Sequence, residues 1–275
     1  MQNDQNLINL EFSIIGFGRV GAGLARSLTR KGGICTGILT SDRSKLDDKV
    51  SGLHFPALVE YSNLGRFCFI CVPDDQISVV ADQLSKYPDI PSNTNFIHVS
   101  GTRSSHDLTV LSKKGHLVAS FHPLQTFNPQ ADIEIFRDIL ISIEGDEELK
   151  VDLYKIAALL SARPLSVSPE QKKTIHIAAV FVSNFQSALV LEAGKVIGTQ
   201  FENAEHFVRQ NYSSLMQQTV LNIIEKGFPD ALTGPAARND QNTIQQHINY
   251  LNDNGLNSSL YSELSDVIRR YLKSE

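Results

Sequence analysis

The sequence predicts an α/β fold: a Rossmann-type parallel sheet followed by an all-α C-terminal domain. Three observations carry this. Short apolar runs alternate with helix-period segments through the first half of the chain. The first run breaks into a Gly-x-Gly-x-x-Gly turn at residues 16–21 before apolar residues resume at helical spacing. Past Ser168 no convincing strand pattern remains.

The elements follow in order. EFSII reads as the first strand, and Gly18 to Lys31 as a helix with Val20, Leu24 and Leu28 on one stripe. ICTGILT is the second strand, and RFCFICV, NTNFIHVS, HLVASF and DILISI are later ones. Asp75 to Tyr87 and Asp146 to Leu160 read as helices. Strands alternating with helices mean βαβ units and a parallel sheet covered on both faces. Ser168-Pro169-Glu170-Gln171 is a helix start, with Ser168 as N-cap, proline in the first position and Gln171 completing a capping box. Helices are expected from Pro169 to Ile197, Asn203 to Lys226, Asp240 to Asn252 and Ser259 to Lys273. The domains are therefore drawn as 1–165 and 166–275. The stretch IHIAAVFVSNFQSALVL is apolar nearly all round, which predicts a helix buried on most sides. It suits a helical domain that forms a homodimer.

Bulk composition narrows the function. The chain has 275 residues, 41% of them hydrophobic, and a net charge of −5. That argues against non-specific binding to nucleic acid or to an anionic membrane. The N-terminus lacks the basic and apolar regions of a signal peptide, and no apolar stretch is expected to reach membrane-spanning length. Cys35, Cys68 and Cys71 lie in strand-like runs. Period-two alternation sends Cys68 and Cys71 to opposite faces, so the pair reads as buried apolar residues rather than a redox or metal site. A cytoplasmic protein is expected.

The glycine turn has the context a dinucleotide fingerprint requires, a strand before it and a helix after it. Gly16 allows the turn, Gly18 a close backbone approach to pyrophosphate, and Gly21 close helix–strand packing. Phe17, Arg19 and Val20 complete the loop, and the helix N-terminus offers free N–H groups to phosphate. The second strand ends in LTSDRSK. Ser41, Arg43 and Ser44 compose a site for a ribose 2′-phosphate, which favours NADP; Asp42 keeps NAD open. Val72-Pro73 ends a strand at the sheet edge where ligands bind, with Pro73 placed near the nicotinamide ribose. Asp74 and Asp75 read as caps of the next helix. Ser100 and Gly101, in HVSGT, end another strand on the same edge.

His122, in FHPLQTF, is held extended by Pro123 and faces the same edge. It is a candidate proton donor or a structural histidine. Gln125 in the same motif is a candidate substrate contact. Lys172, His176 and Asn184 lie at spacings of four and eight, roughly one face of a helix. His176 is a second candidate proton donor, and Asn184 would orient a substrate carbonyl or make a helix–helix hydrogen bond. In LTGPAARND, Arg238 beside a helix start at Asp240 suits a substrate carboxylate, or the two pair with each other. No metal-ligand spacing joins His122, His176 and His247.

GFGRVG, SDRS, CVPDDQI, HVSGT, FHPLQTF, the H-x-A-A-x-F-x-S-N helix and LTGPAARND together resemble a family of Rossmann-like proteins with a C-terminal domain of unknown function, labelled NADP oxidoreductases. The resemblance covers nearly the whole chain. That family is similar to pyrroline-5-carboxylate reductase, ketopantoate reductase and the deazaflavin-dependent NADP oxidoreductases, on a 6-phosphogluconate-dehydrogenase-like plan. The resemblance implies NADPH in the first domain, a site between the domains and a helical domain of a kind that often dimerises. The polar clusters at strand ends and in the helical domain predict the NADPH-dependent reduction of a small carbonyl or imine substrate that carries a carboxylate. Its alternative is a dinucleotide-binding sensor or assembly module without catalysis.

Overall fold

Strand β1 (Glu11–Ile15) has four of its five residues buried, as a strand covered on both faces must. The structure is a computed structural model that describes residues 10–128 and 134–274; the first nine residues, where a signal peptide is not expected, lie outside the described ones. Helix α1 (Arg19–Arg30) returns the chain to β2 (Ile34–Leu39). A two-residue hairpin, β3 (Asp47–Asp48) and β4 (Leu53–His54), precedes β5 (Phe67–Ile70). Then come α2 (Ile77–Leu84), β6 (Asn95–His98), α3 (Thr109–Ser112), β7 (Val118–Pro123), β8 (Leu140–Gly145), α4 (Glu147–Leu159) and β9 (Arg163–Ser166).

The seven-stranded sheet runs β2-β1-β5-β6-β7-β8-β9. The chain moves outward from β1 to β2, then reverses past β1 to β5. That reversal leaves a crevice at the C-terminal ends of β1 and β5, where open α/β sheets bind ligands. Strand alternation divides the core. Phe12, Ile14, Phe67, Phe69, Phe121 and Ile143 share one cluster with residues of α1 and α4. Ile15, Cys68, Ile70 and Phe96 share the other with α2 and α3. In α1, Leu24 and Leu28 are fully buried. At about 1.5–3 kcal/mol for each such side chain, that face outweighs any cap, worth about 1 kcal/mol, in holding the helix.

Four expectations need correction. The sheet is not wholly parallel, because β7 and β8 pair antiparallel. Among the described residues, the connection between them carries no crossover helix to bring the chain back in the same direction. β9, parallel to β8 at the sheet edge, escaped the pattern because Pro164 sits inside it. Proline is tolerated on an edge strand, where one flank needs no donor. Asp74 and Asp75 open a short 3₁₀ turn ahead of α2, and neither caps it through its side chain. The long helix is neither continuous nor buried: α5 (Pro169–Val182) and α6 (Asn184–Ile197) meet at Ser183, and Phe181, Val182 and Leu191 are more than 60% exposed.

The same segment overturns the expectation about membrane length. Taken through Ser183, Pro169–Ile197 is long and apolar enough to cross a membrane by length and composition. Residues 174–191 contain no Asp, Glu, Lys or Arg. The capping box is present: Gln171 N–H donates to Ser168 Oγ at 3.2 Å, and Ser168 N–H to Gln171 Oε1 at 2.9 Å.

The chain divides into two compact units, Met1–Val180 and Phe181–Glu275. Most of α5 thus belongs with the sheet. The second unit holds α6, α7 (Ala204–Asn211), α8 (Ser213–Lys226), α9 (Gln241–Asp253) and α10 (Ser258–Ser274). The single helix expected over Asn203 to Lys226 is broken at Tyr212.

Candidate functional site

The glycine turn is built by steric exclusion. Gly16 has φ +95, and a Cβ there would stand 2.5 Å from the Cys71 carbonyl oxygen at the end of β5. A Cβ on Gly21 would strike the Gly16 carbonyl and come within 3.2 Å of Ile14. Gly18 differs. Its φ is −80, and a Cβ would meet nothing within 4 Å. Nothing in the chain itself requires glycine there; the open space suits an incoming group. Gly18 is the N-cap of α1 with no side-chain cap, and the first turn carries no acid. Free N–H groups and the positive end of the helix dipole therefore face that space. Phe17 is turned into the core against Phe55, and Val20 packs on the same cluster.

Beside this turn lies a cavity of about 500 Å³ whose lining includes Gly18, Arg19, Ser44, Lys45 and Lys49. Asp42 caps the 3₁₀ turn that follows it, accepting from Ser44 N–H at 3.1 Å and from Ser44 Oγ at 2.6 Å. These hydrogen bonds, with Lys45 nearby, hold its carboxyl below the usual carboxylate range. Arg43 and Ser41 are exposed on the same loop. Lys49 had no motif to announce it, since only the β3–β4 hairpin brings it to the cavity. Buried Arg26 supports that hairpin from α1 with two hydrogen bonds to Asp48, one of 2.8 Å.

Further along the sheet edge, polar residues line up by register. His98 on β6 pairs with Ser120 on β7, and Ser120 with Glu144 on β8. His122 lies two residues past Ser120, on the same face. Ser100 is buried, and its Oγ accepts from Thr102 N–H at 3.2 Å and Arg103 N–H at 3.1 Å. Its hydroxyl fixes the loop. Asp74 accepts a hydrogen bond from the Thr102 hydroxyl, which ties the loop after β5 to the loop after β6. Val72 touches the glycine turn, since a Cβ on Gly16 would stand 3.0 Å from Val72 Cγ1. Pro73 is exposed next to it.

Gly101 joins the two candidate histidines. A Cβ on Gly101 would stand 2.7 Å from His122 Cε1 and closer still to His176 Nδ1. The rings meet edge to face with centroids 5.7 Å apart. Nδ1 of His122 and Nδ1 of His176 are both buried and have no hydrogen-bond partner among the described residues. Burial, then the Lys172 cation and His176, push the His122 imidazole down to about 4. Burial and Lys172 likewise bring His98 to about 3. Lys172 itself is 1% exposed and is lowered to about 8 by burial, against the pull of Glu144, Asp74 and Asp107. His122 is therefore neutral at pH 7. Sequence spacing placed Lys172 on the His176 face without assigning it a role.

The other expected residues are placed as follows. Gln125 is exposed, and its Oε1 accepts from Thr126 N–H at 2.8 Å. Asn184, Arg238 and Asp240 belong to the second unit. Asn184 opens α6, past the break at Ser183, so it no longer continues the helix face of Lys172 and His176. Asp240 caps α9, accepting from Thr243 N–H at 3.1 Å and Thr243 Oγ1 at 2.7 Å. Arg238 is exposed. Cys68 and Cys71 fall in different core clusters, on opposite faces, and burial pushes both thiols far up. Among the described residues, no three His, Cys, Asp or Glu side chains are grouped to hold a metal ion.

This geometry defines a class: an open, mostly parallel α/β unit followed by a helical C-terminal region. Comparison makes it particular. Residues 2–123 match the Rossmann-like domain, and residues 139–268 match a domain of unknown function, DUF2520. The chain is thus similar to a Rossmann-like domain over its first part and to that domain of unknown function over its second. No curated protein matches it in sequence. Among solved structures, it is similar to a Bacteroides fragilis protein provisionally assigned as an NADP oxidoreductase, at 24% identity and TM-score 0.78 over 95% of this chain and 98% of that one. A Thermotoga maritima protein is 26% identical, with TM-score 0.71 over 96% of this chain and 98% of that one. A reductive aminase from Aspergillus terreus, in complex with NADPH and ethyl-5-oxohexanoate, is 13% identical, with TM-score 0.65 over 97% and 95%.

Proposed function

We propose that the protein is an NADP(H)-dependent oxidoreductase that reduces a small carbonyl or imine substrate carrying a carboxylate. The observation that carries the reading is Gly18: a glycine the chain does not need, at an uncapped helix start, beside a cavity with Arg19, Lys45 and Lys49 on its wall. Backbone N–H groups of α1 would hold the pyrophosphate. Arg43, with Lys45 and Lys49, would take the 2′-phosphate, while the Asp42 carboxylate stays engaged with Ser44. The structures of similar fold that were solved with NADPH or NADP⁺ support the cofactor class.

When bound, the nicotinamide supplies the hydride. The chain's own part is to position and protonate. His122, neutral at pH 7, accepts or relays a hydrogen bond, and His176 delivers the proton to the nascent hydroxyl or amine. Gly101 keeps both rings close. Asn184 and Arg238 are the residues proposed to orient the acceptor and hold its carboxylate.

The quaternary reading is a cytoplasmic homodimer through the helical domain, with neither nucleic acid nor membrane as partner. It is supported by the exposed Leu189, Leu215, Leu221 and Ile224, and by a cavity of about 1090 Å³ lined mainly by α6 and α8. Patches of that kind on a surface normally meet a partner. His176, Ser183, Asn184 and Gln186 break up the apolar segment and disfavour a bilayer for it.

The test is oxidation of NADPH, followed by absorbance, across a panel of keto acids and cyclic imines. His176→Ala is expected to lower turnover at least tenfold while NADPH binding stays within twofold. Unchanged turnover removes His176 from the mechanism.

A further inference from the structure

Lys172 is a buried cation with no direct ion pair among the described residues. It stands one turn before His176 on α5, and its ammonium donates to the Arg103 carbonyl and the Ser120 hydroxyl. No ion pair reaches it among the described residues, although three acids face it. Each is engaged elsewhere. Glu144 on β8 accepts from Ser105 N–H at 2.8 Å and Ser105 Oγ at 2.6 Å. Asp74, after β5, takes the Thr102 hydroxyl, and Asp107, after β6, pairs with Arg103. Arg103, whose carbonyl accepts from Lys172, has its guanidinium paired with Asp107, and the imidazoles facing Lys172 include His98 on β6 and His122 on β7.

A tether between α5 and the sheet needs only a hydrogen-bond donor, so tethering leaves the charge unexplained. Buried lysines are rare because an unpaired ammonium is costly to desolvate. What the charge does is fixed by register. Ser120, which receives the ammonium, is directly opposite His98 and shares a strand face with His122, two residues and about 7 Å further on. A positive charge at that spacing in a desolvated site opposes a second one on either ring.

We propose that Lys172 is a positioning residue whose charge adds to burial in keeping His122 unprotonated, so that His122 presents a lone pair beside His176 over Gly101. Lys172 touches neither cofactor nor substrate; it acts through His122. The proposal rests on the reductase reading only for what the imidazole pair is used for. The protonation state is a property of the resting protein and is measured without turnover.

The experiment is a histidine NMR titration of the full-length chain between pH 4.5 and 8, labelled in the imidazole carbons. The His122 resonances of the native protein are expected to stay unprotonated down to pH 5. In Lys172→Met the His122 midpoint is expected to rise by one pH unit or more; Lys172→Arg is expected to keep it low. An ordinary His122 midpoint in the native protein overturns the proposal even if the methionine variant fails to fold. So does an unmoved midpoint in a folded Lys172→Met. A protein that titrates as expected yet never oxidises NADPH fails the reductase reading alone.

Discussion

Gly101 shows how one missing methyl group organises this site. Both imidazoles occupy the volume a Cβ would need, so Gly101→Ala must drive at least one ring away. Overpacking of this kind costs about 1–3 kcal/mol. Turnover is expected to fall at least tenfold and the urea midpoint to drop, with NADPH affinity nearly unchanged. Native turnover in the alanine variant would show that the close ring pair is not used. No local pattern announces this role; from its motif Gly101 reads as a cofactor contact at a strand end. The contact depends on how α5 lies across the sheet, which no local pattern encodes. Asp74, read as a helix cap, was misjudged for the same reason, as its partner, Thr102, belongs to loop geometry. Gly16 and Gly21 were legible, since strand, turn and helix are local and consecutive.

At the scale of elements, α5 is docked on the sheet by the buried Lys172, and that docking depends on pH. Its pKa is lowered from 10.5 to about 8. Between those values the unfolded chain still holds a proton that the folded chain has released, so stability rises with pH through that window, by about 3 kcal/mol. His98 and His122, lowered from 6.5 to about 3 and about 4, act at the other end. As pH falls below 6.5 the unfolded chain takes up protons that the folded one refuses, and stability declines. Urea unfolding from pH 4 to 10.5 is expected to show both limbs. Lys172→Met is expected to lose the alkaline limb; identical alkaline limbs in the two proteins would contradict the buried cation.

The same scale marks the limit of pattern reading. The capping box at Ser168 was foreseen because all its atoms lie within four residues. Strand β9 was missed because Pro164 hides an edge strand, and the antiparallel turn into β8 because a run of apolar residues carries no direction. The breaks at Ser183 and Tyr212 fall inside unbroken helical periodicity.

For the whole molecule, the division into a sheet unit and a helical unit follows from the change of pattern. The environment of α6 and α8 does not. Their apolar residues predict burial, yet Leu215 and Ile224 remain more than 60% exposed in one chain. What covers them lies outside the single sequence. Sedimentation at micromolar concentration is expected to give a dimer, and Leu215→Asp with Leu221→Asp a monomer; a native monomer would contradict the assembly.

The central claim is that the bare Gly18 turn receives the pyrophosphate of NADP and the adjoining loop its 2′-phosphate. Isothermal calorimetry with NADPH and NADH tests it most directly. Micromolar or tighter binding of NADPH is predicted, weakened at least tenfold by Gly18→Val and by Arg43→Ala, with NADH binding more weakly and indifferent to Arg43→Ala. Folded protein that takes up neither coenzyme, or binds NADPH equally well with valine at position 18, would contradict the account.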